Sequence, residues 1–129
     1  MKNKEDPLNK SIAPNQSFQN GKTKIALHTH HGILMEEIKS IIHCQSDNSY
    51  TTFHLDNEKK IVVSKPITDF ENILSGKNFL RIHKSHLINL HFVKEYIRGK
   101  GGQVRMSDGT MIDVSPMHKA ELLDLLDKL

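Results

Sequence analysis

Apolar and polar positions change rhythm along this chain, and the changes divide it. Residues 1–24 are rich in Asn, Gln, Lys and Ser, contain Pro7 and Pro14, and show no sustained apolar period. They are expected to form a disordered arm or linker. From Ile25 onward, short apolar stretches alternate with turn signals: Ile25–Leu27, Ile33–Met35, Ile41–Ile42, Thr51–Leu55 and Ile61–Val63. Stretches of this length, rich in β-branched residues, predict strands. Asp56–Lys60 is expected to join two of them as a hairpin loop, and Asp108-Gly109 to join Val104–Met106 to Thr110–Val114. The glycines of Arg98–Gly102 accept the positive φ angles of a further turn, so residues 93–114 read as an antiparallel meander.

Helical period is confined to three places. After Pro66, residues Ile67, Phe70, Ile73 and Leu74 share one face, and Gly76 follows at a position suited to a C-terminal cap. Ser115-Pro116 forms a start signal before Leu122, Leu123, Leu126 and Leu129, with Glu121, Asp124 and Asp127 facing water. A third helix of about one turn is expected between Lys84 and Leu90.

Composition narrows the class of molecule. A chain of 129 residues fits one domain, here residues 25–129, plus the arm. Its hydrophobic content of 36% and lack of Trp predict a lean core. Cys44 is the one cysteine, the N-terminus is charged where a secretory signal needs an apolar run, and no stretch approaches a membrane span. A cytoplasmic protein is expected, with no membrane partner.

Charge is unevenly placed. The net +3 divides into +3 over residues 1–24, −3 over 25–76, +6 over 77–105 and −3 over 106–129. A basic block between acidic ones suits a polyanion, because Lys and Arg displace counterions from phosphate; a solvated charged surface gives the same count. Within that block, the apolar residues Phe79, Ile82, Leu87 and Leu90 alternate with Arg81, His83, Lys84, Ser85 and Asn89. Such anchors would hold donors for phosphates or base edges at the surface.

The run from Arg81 to Leu90, the strand after it, Gly101-Gly102, the Ser107–Gly109 turn and Val114-Ser115 before the last helix resemble, in order and spacing, the LytTR-type DNA-binding domain of bacterial response regulators. Ile25–Leu27 with Gly32, the Asp47–Thr51 loop, Val63–Lys65 and Ile112–Ser115 extend the likeness over about residues 25–129. The resemblance implies a mostly β, elongated antiparallel fold with short helices that contacts DNA through loops. It also implies transcription regulation, usually downstream of a receiver domain and a histidine kinase. Three contact regions carry over: Asn48, Ser49 and Tyr50; His83, Lys84 and Ser85, with Lys84 directed toward bases; and the start of the last helix. At the last of these, where family members commonly carry Arg, this chain has Pro116-Met117, and basic character returns at His118 and Lys119. Arg81, Ser85 and Lys119 are expected to position phosphates. Because one small module offers limited contact area, specific binding to double-stranded promoter DNA is expected to use repeats and a second copy of the chain.

Other chemistry is weakly signalled. Of nine histidines, His28, His30 and His31 come nearest to ligand spacing, yet no Cys or neighbouring carboxylate completes a zinc set, and neither metal nor cofactor is expected. Cys44, flanked by apolar residues, reads as a buried thiol. No Walker loop, G-x-S-x-G or H-E-x-x-H is present, so no enzyme is expected. The alternatives to DNA binding are a protein-interaction module that has lost it and a His-rich metal-binding sensor.

Overall fold

The computed structural model describes residues 23–129; the expected arm, apart from Thr23 and Lys24, lies outside the described residues. The chain forms β1 (Lys24–Thr29), β2 (Gly32–Glu37), β3 (Ile41–Asp47), β4 (Tyr50–Leu55) and β5 (Lys60–Val63) before the first helix, α1 (Ile67–Ile73). After it come β6 (Phe79–His83), β7 (His86–Asn89), β8 (Val93–Ile97), β9 (Gln103–Met106), β10 (Met111–Asp113) and α2 (Pro116–Asp127). All pairings are antiparallel, in three sheets: β1-β2, the central β5-β4-β3-β7-β6, and β10-β9-β8.

Two cores form on opposite sides of the central sheet. On one side Leu27, Cys44, Phe53, Phe70, Leu74 and Leu87 pack together, bringing β1 and α1 onto the sheet. Phe53 and Phe70 meet edge to face at 4.7 Å, a favoured aromatic geometry. On the other side Ile82, Ile88, Met106, Ile112 and Leu122 join the three-stranded sheet and α2 to it. β3 is therefore covered on both faces, and its residues Ile41 to Cys44 are all buried.

Both long-signalled helices form, α1 after Pro66 and α2 with Pro116 in its first turn. The third does not. Residues 84–85 make a two-residue turn and 86–89 a strand, leaving only a 3-10 turn at Leu90–Phe92, where Asn89 Oδ1 accepts from the His91 N–H at 3.0 Å. The reason lies in burial: Leu87 enters the first core and Ile88 the second, so an apolar run that imitates a helix face is a strand buried on both sides. The hairpins at 56–60 and 108–109 and the 93–114 meander form as expected. At Gly102, φ is +81° and a Cβ would collide with the Tyr96 hydroxyl, so a larger residue here is strained in its backbone and must displace the Tyr96 ring.

β2 departs from its apolar pattern. Ile33 and Met35 are 58% and 56% exposed, because β1 and β2 form a separate two-stranded sheet with one face uncovered.

Candidate nucleic-acid interface

Three short segments meet at one end of the molecule. Asn48 and Ser49 form the β3–β4 turn, with Asn48 at φ 58°, a left-handed conformation that Asn tolerates. Lys84 and Ser85 form the β6–β7 turn, and the Ser46 N–H donates to Ser85 O at 2.8 Å, tying the two turns side by side. The Ser115 N–H donates to Ile82 O at 2.8 Å and so sets the start of α2 next to β6. The Val114 N–H donates to Gly102 O, which brings the 98–102 loop, with Arg98 and Lys100, to the same end.

A groove of about 350 Å³ runs between the β6–β7 turn and α2, lined by Glu71, Arg81, His83, Lys84, Ser115, Met117 and His118. Within it the side chains divide into braces and open groups. Arg81 is a brace: Nη1 donates to Glu71 Oε1 at 2.6 Å, Nε to His83 O at 2.9 Å and Nη2 to Lys84 O at 2.5 Å. Its guanidinium thus holds the backbone of the turn in shape, a role that the sequence, which suggested phosphate positioning, did not reveal. His83 Nδ1 accepts from the Ser85 N–H at 3.1 Å, leaving Nε2 as the ring's donor in the neutral form. His118 Nδ1 shares a hydrogen bond with Ser115 Oγ at 2.9 Å, closing the first turn of α2. Lys84 is exposed and makes no side-chain bond or ion pair among the described residues, and Met117 is 83% exposed. Of the expected site residues, Arg81, His83, Lys84 and His118 line this groove; Asn48, Ser49 and Ser85 sit on the adjoining turns, and Tyr50 and Lys119 lie apart. Tyr50 lines another, of about 610 Å³, with His28, His30, His31, Leu34 and Val62, and Lys119 is half-buried on α2 outside both.

His28 and His30 do not share a strand face, since β1 ends at Thr29 and His30 enters the turn. A different histidine group forms between the sheets. His43 and His54, paired across β3 and β4, stack at 4.1 Å with planes 13° apart, and His86 lies 6.5 Å from His43. His43 is fully buried, and its Nε2 lies 3.3 Å from Asp108 Oδ2 on the β9–β10 turn. Burial, then the neighbouring His54, lower the His43 pKa to about 4 against the opposing pull of Asp108; burial and His83 lower that of His86 to about 4. Burial likewise lowers His54. Asp108 is itself below the usual carboxylate value: burial raises it, but the hydrogen bonds from Thr110 and the contact with His43 outweigh that. Cys44 is buried in the first core, and burial pushes its thiol pKa up, which makes it an unreactive packing residue.

Residues 31–127 match the family model of the LytTr DNA-binding domain. Among curated proteins, the chain is 26% identical over 106 residues to the heme-containing CO-sensing transcriptional regulator RcoM 1 of Paraburkholderia xenovorans, covering 80% of this chain and 39% of that protein. It is 26% identical over 117 residues to the sensory transduction protein LytT of Bacillus subtilis (89% and 48%), and 30% identical over 91 residues to the transcriptional regulatory protein LytR of Staphylococcus aureus (70% and 37%). The chain therefore spans less than half the length of these relatives. In fold it is similar to the LytTr DNA-binding domain of a methyl-accepting/DNA response regulator from Bacillus cereus, with a TM-score of 0.70 at 20% identity, covering 82% of this chain and 98% of that one.

Proposed function

Since the chain belongs to the LytTr DNA-binding domain family, we propose that it binds double-stranded DNA sequence-specifically and regulates transcription in the bacterial cytoplasm as the output part of a two-component response regulator. A receiver domain under a histidine kinase would supply the input, and a second copy on neighbouring promoter repeats would extend the contact area. The observation that carries this reading is the convergence of the β3–β4 turn, the β6–β7 turn and the start of α2 at one end, with Lys84 exposed there and unpaired among the described residues. In this reading Asn48, Ser49 and Lys84 face base edges, with Tyr50 at the flank. Ser85, His83 Nε2, Lys119 and His118 serve phosphates or neighbouring edges, and Arg98 and Lys100 join them. Arg81 acts through the turn that it braces.

Lys84→Ala and Arg81→Ala separate base reading from bracing. Lys84→Ala should leave the melting temperature unchanged and cost about 1–3 kcal/mol on the preferred site, relaxing preference at one base position. Arg81→Ala should lower stability by roughly 1–3 kcal/mol, since Glu71 and two carbonyls lose their donor, and should weaken specific binding with it. Mobility-shift titrations on specific and scrambled duplexes read the first effect and thermal melting the second. Equal losses on both duplexes for Lys84→Ala would reduce it to a phosphate contact.

Met117 offers a gain-of-function test. Its side chain stands in solvent at the mouth of the groove, so Met117→Arg adds a donor without burying charge. Binding should tighten by about 1 kcal/mol or more with an unchanged melting temperature. No change in affinity would take the start of α2 out of the DNA contact.

A further inference from the structure

The buried histidine pair and the carboxylate facing it come from three strands or turns with no shared spacing, and they suit a cation better than they suit one another. His43 is 0% exposed and turns its Nε2 toward Asp108, while the buried Nε2 of His54, on the ring stacked against it, has no hydrogen-bond partner. An unsatisfied buried nitrogen beside a second imidazole and a carboxylate calls for an explanation in a folded protein, and a bound ion is one. One nitrogen from each ring and one oxygen of Asp108 lie within 4.8 Å of one another. From this geometry we propose that His43, His54 and Asp108 bind one divalent transition-metal ion of the Zn²⁺ type, which ties the β9–β10 turn to the central sheet.

Two imidazoles and a carboxylate are a donor set that Zn²⁺ accepts, at about 2.0–2.2 Å from each atom, which places neighbouring tetrahedral ligands roughly 3.3 Å apart. The His43 Nε2 to Asp108 Oδ2 separation is 3.3 Å, long for a charge-assisted hydrogen bond and suited to an edge of that tetrahedron. His54 must tilt out of its stack to close the remaining distance, and it has room to do so. It borders a cleft of about 550 Å³ that also touches Asp108, Asp56 and Glu58 and opens to solvent. The cleft gives an entry path and space for water at the remaining coordination position. Asp108 is already oriented: Oδ1 accepts from the Thr110 N–H at 2.9 Å, which leaves Oδ2 toward His43, the kind of outer contact that fixes a metal-binding carboxylate. The proposal is independent of DNA binding, because none of the three residues lines the groove between the β6–β7 turn and α2.

Calorimetric titration of Zn²⁺ alone into the untagged full chain, stripped beforehand with a chelator, tests it. One ion should bind with a raised melting temperature. His54→Gln and Asp108→Asn should each weaken that ion by about tenfold or more, at least the cost of losing an outer-shell partner, and cancel the thermal shift. Both positions are partly exposed, and Asn at 108 keeps an oxygen for Thr110, so the fold is retained. Replacing His28, His30 and His31 together by Gln should leave the ion bound. Absence of one-ion binding, undiminished binding in either single variant, or loss of the ion in the triple variant would overturn the proposal.

Discussion

Between pH 7 and pH 4 the domain, kept metal-free by a chelator so that no cation competes for the same nitrogens, is expected to lose roughly 4–5 kcal/mol of stability. The folded pKa values of His43 and His86 are about 4, below the ordinary 6.5, so the folded state binds fewer protons than the unfolded chain. Their contribution is fully present above about 6.5, falls as the pH drops below that value, and is gone below about 4. Fully buried His43 supplies roughly 3 kcal/mol of the loss at pH 4, while His86 adds less because solvent screens its partly exposed ring. The groups facing His43 reinforce the direction: His54 and His86 would become like charges beside it, and among the described residues Asp108 is the carboxylate positioned to compensate. Set against a total of about 5–15 kcal/mol for a domain, the loss is enough to bring the chain near its unfolding midpoint. Urea unfolding at a series of pH values measures it, and stability that stays flat from pH 7 to pH 4.5 would show that His43 finds a partner for its proton.

What could be read from the sequence and what could not differ in physical kind. The hairpins at 56–60 and 108–109 and the Ser115-Pro116 start of α2 are local chemistry, in which a few residues restrict φ and ψ by themselves, and they were legible; α1 formed where expected, but with Pro66 at its N-cap instead of its first turn and Gly76 one position beyond C′. β7 was not, because Leu87 and Ile88 serve opposite cores, and a strand covered on both sides loses the alternation that marks strands. The histidine site was illegible for a related reason. His28, His30 and His31 are near in sequence but split between the end of β1 and the turn after it, whereas His43, His54 and Asp108 are joined only by β3–β4 register and by packing of the second sheet. The turns at 48–49 and 84–85 were pointed to by resemblance, and their common end became visible through the Ser46 to Ser85 hydrogen bond. Arg81 shows the limit most directly: its charge was evident, but Glu71, which occupies that charge, is supplied by the neighbourhood of α1.

That limit sets the size of the second large effect. Raising salt from 50 to 200 mM is expected to weaken duplex binding by one domain about 150-fold, with a log–log slope of roughly −3.6. Taken as a count, the seven cations of residues 77–105 predict a slope of about −6.3, at roughly −0.9 for each phosphate neutralised. The structure removes some of them. Arg81 is engaged by Glu71 and Arg105 by Glu95 across the β8–β9 pair, so neither releases a counterion without first breaking an internal pair. Lys94 stands at the opposite end of β8 from the 98–102 loop, and Lys77 has an interaction of its own. Lys84, Arg98 and Lys100 remain at the loop end, joined by Lys119 from the first turns of α2, so the proposed DNA-binding mode predicts four phosphate contacts per domain. Fluorescence anisotropy on one specific duplex across a salt series reads the slope directly. A value near −6 would mean that Arg81 and Arg105 exchange their carboxylates for phosphate on binding. A flat response would exclude this end of the molecule as the DNA-facing surface, since no other arrangement of these side chains neutralises phosphates without displacing counterions.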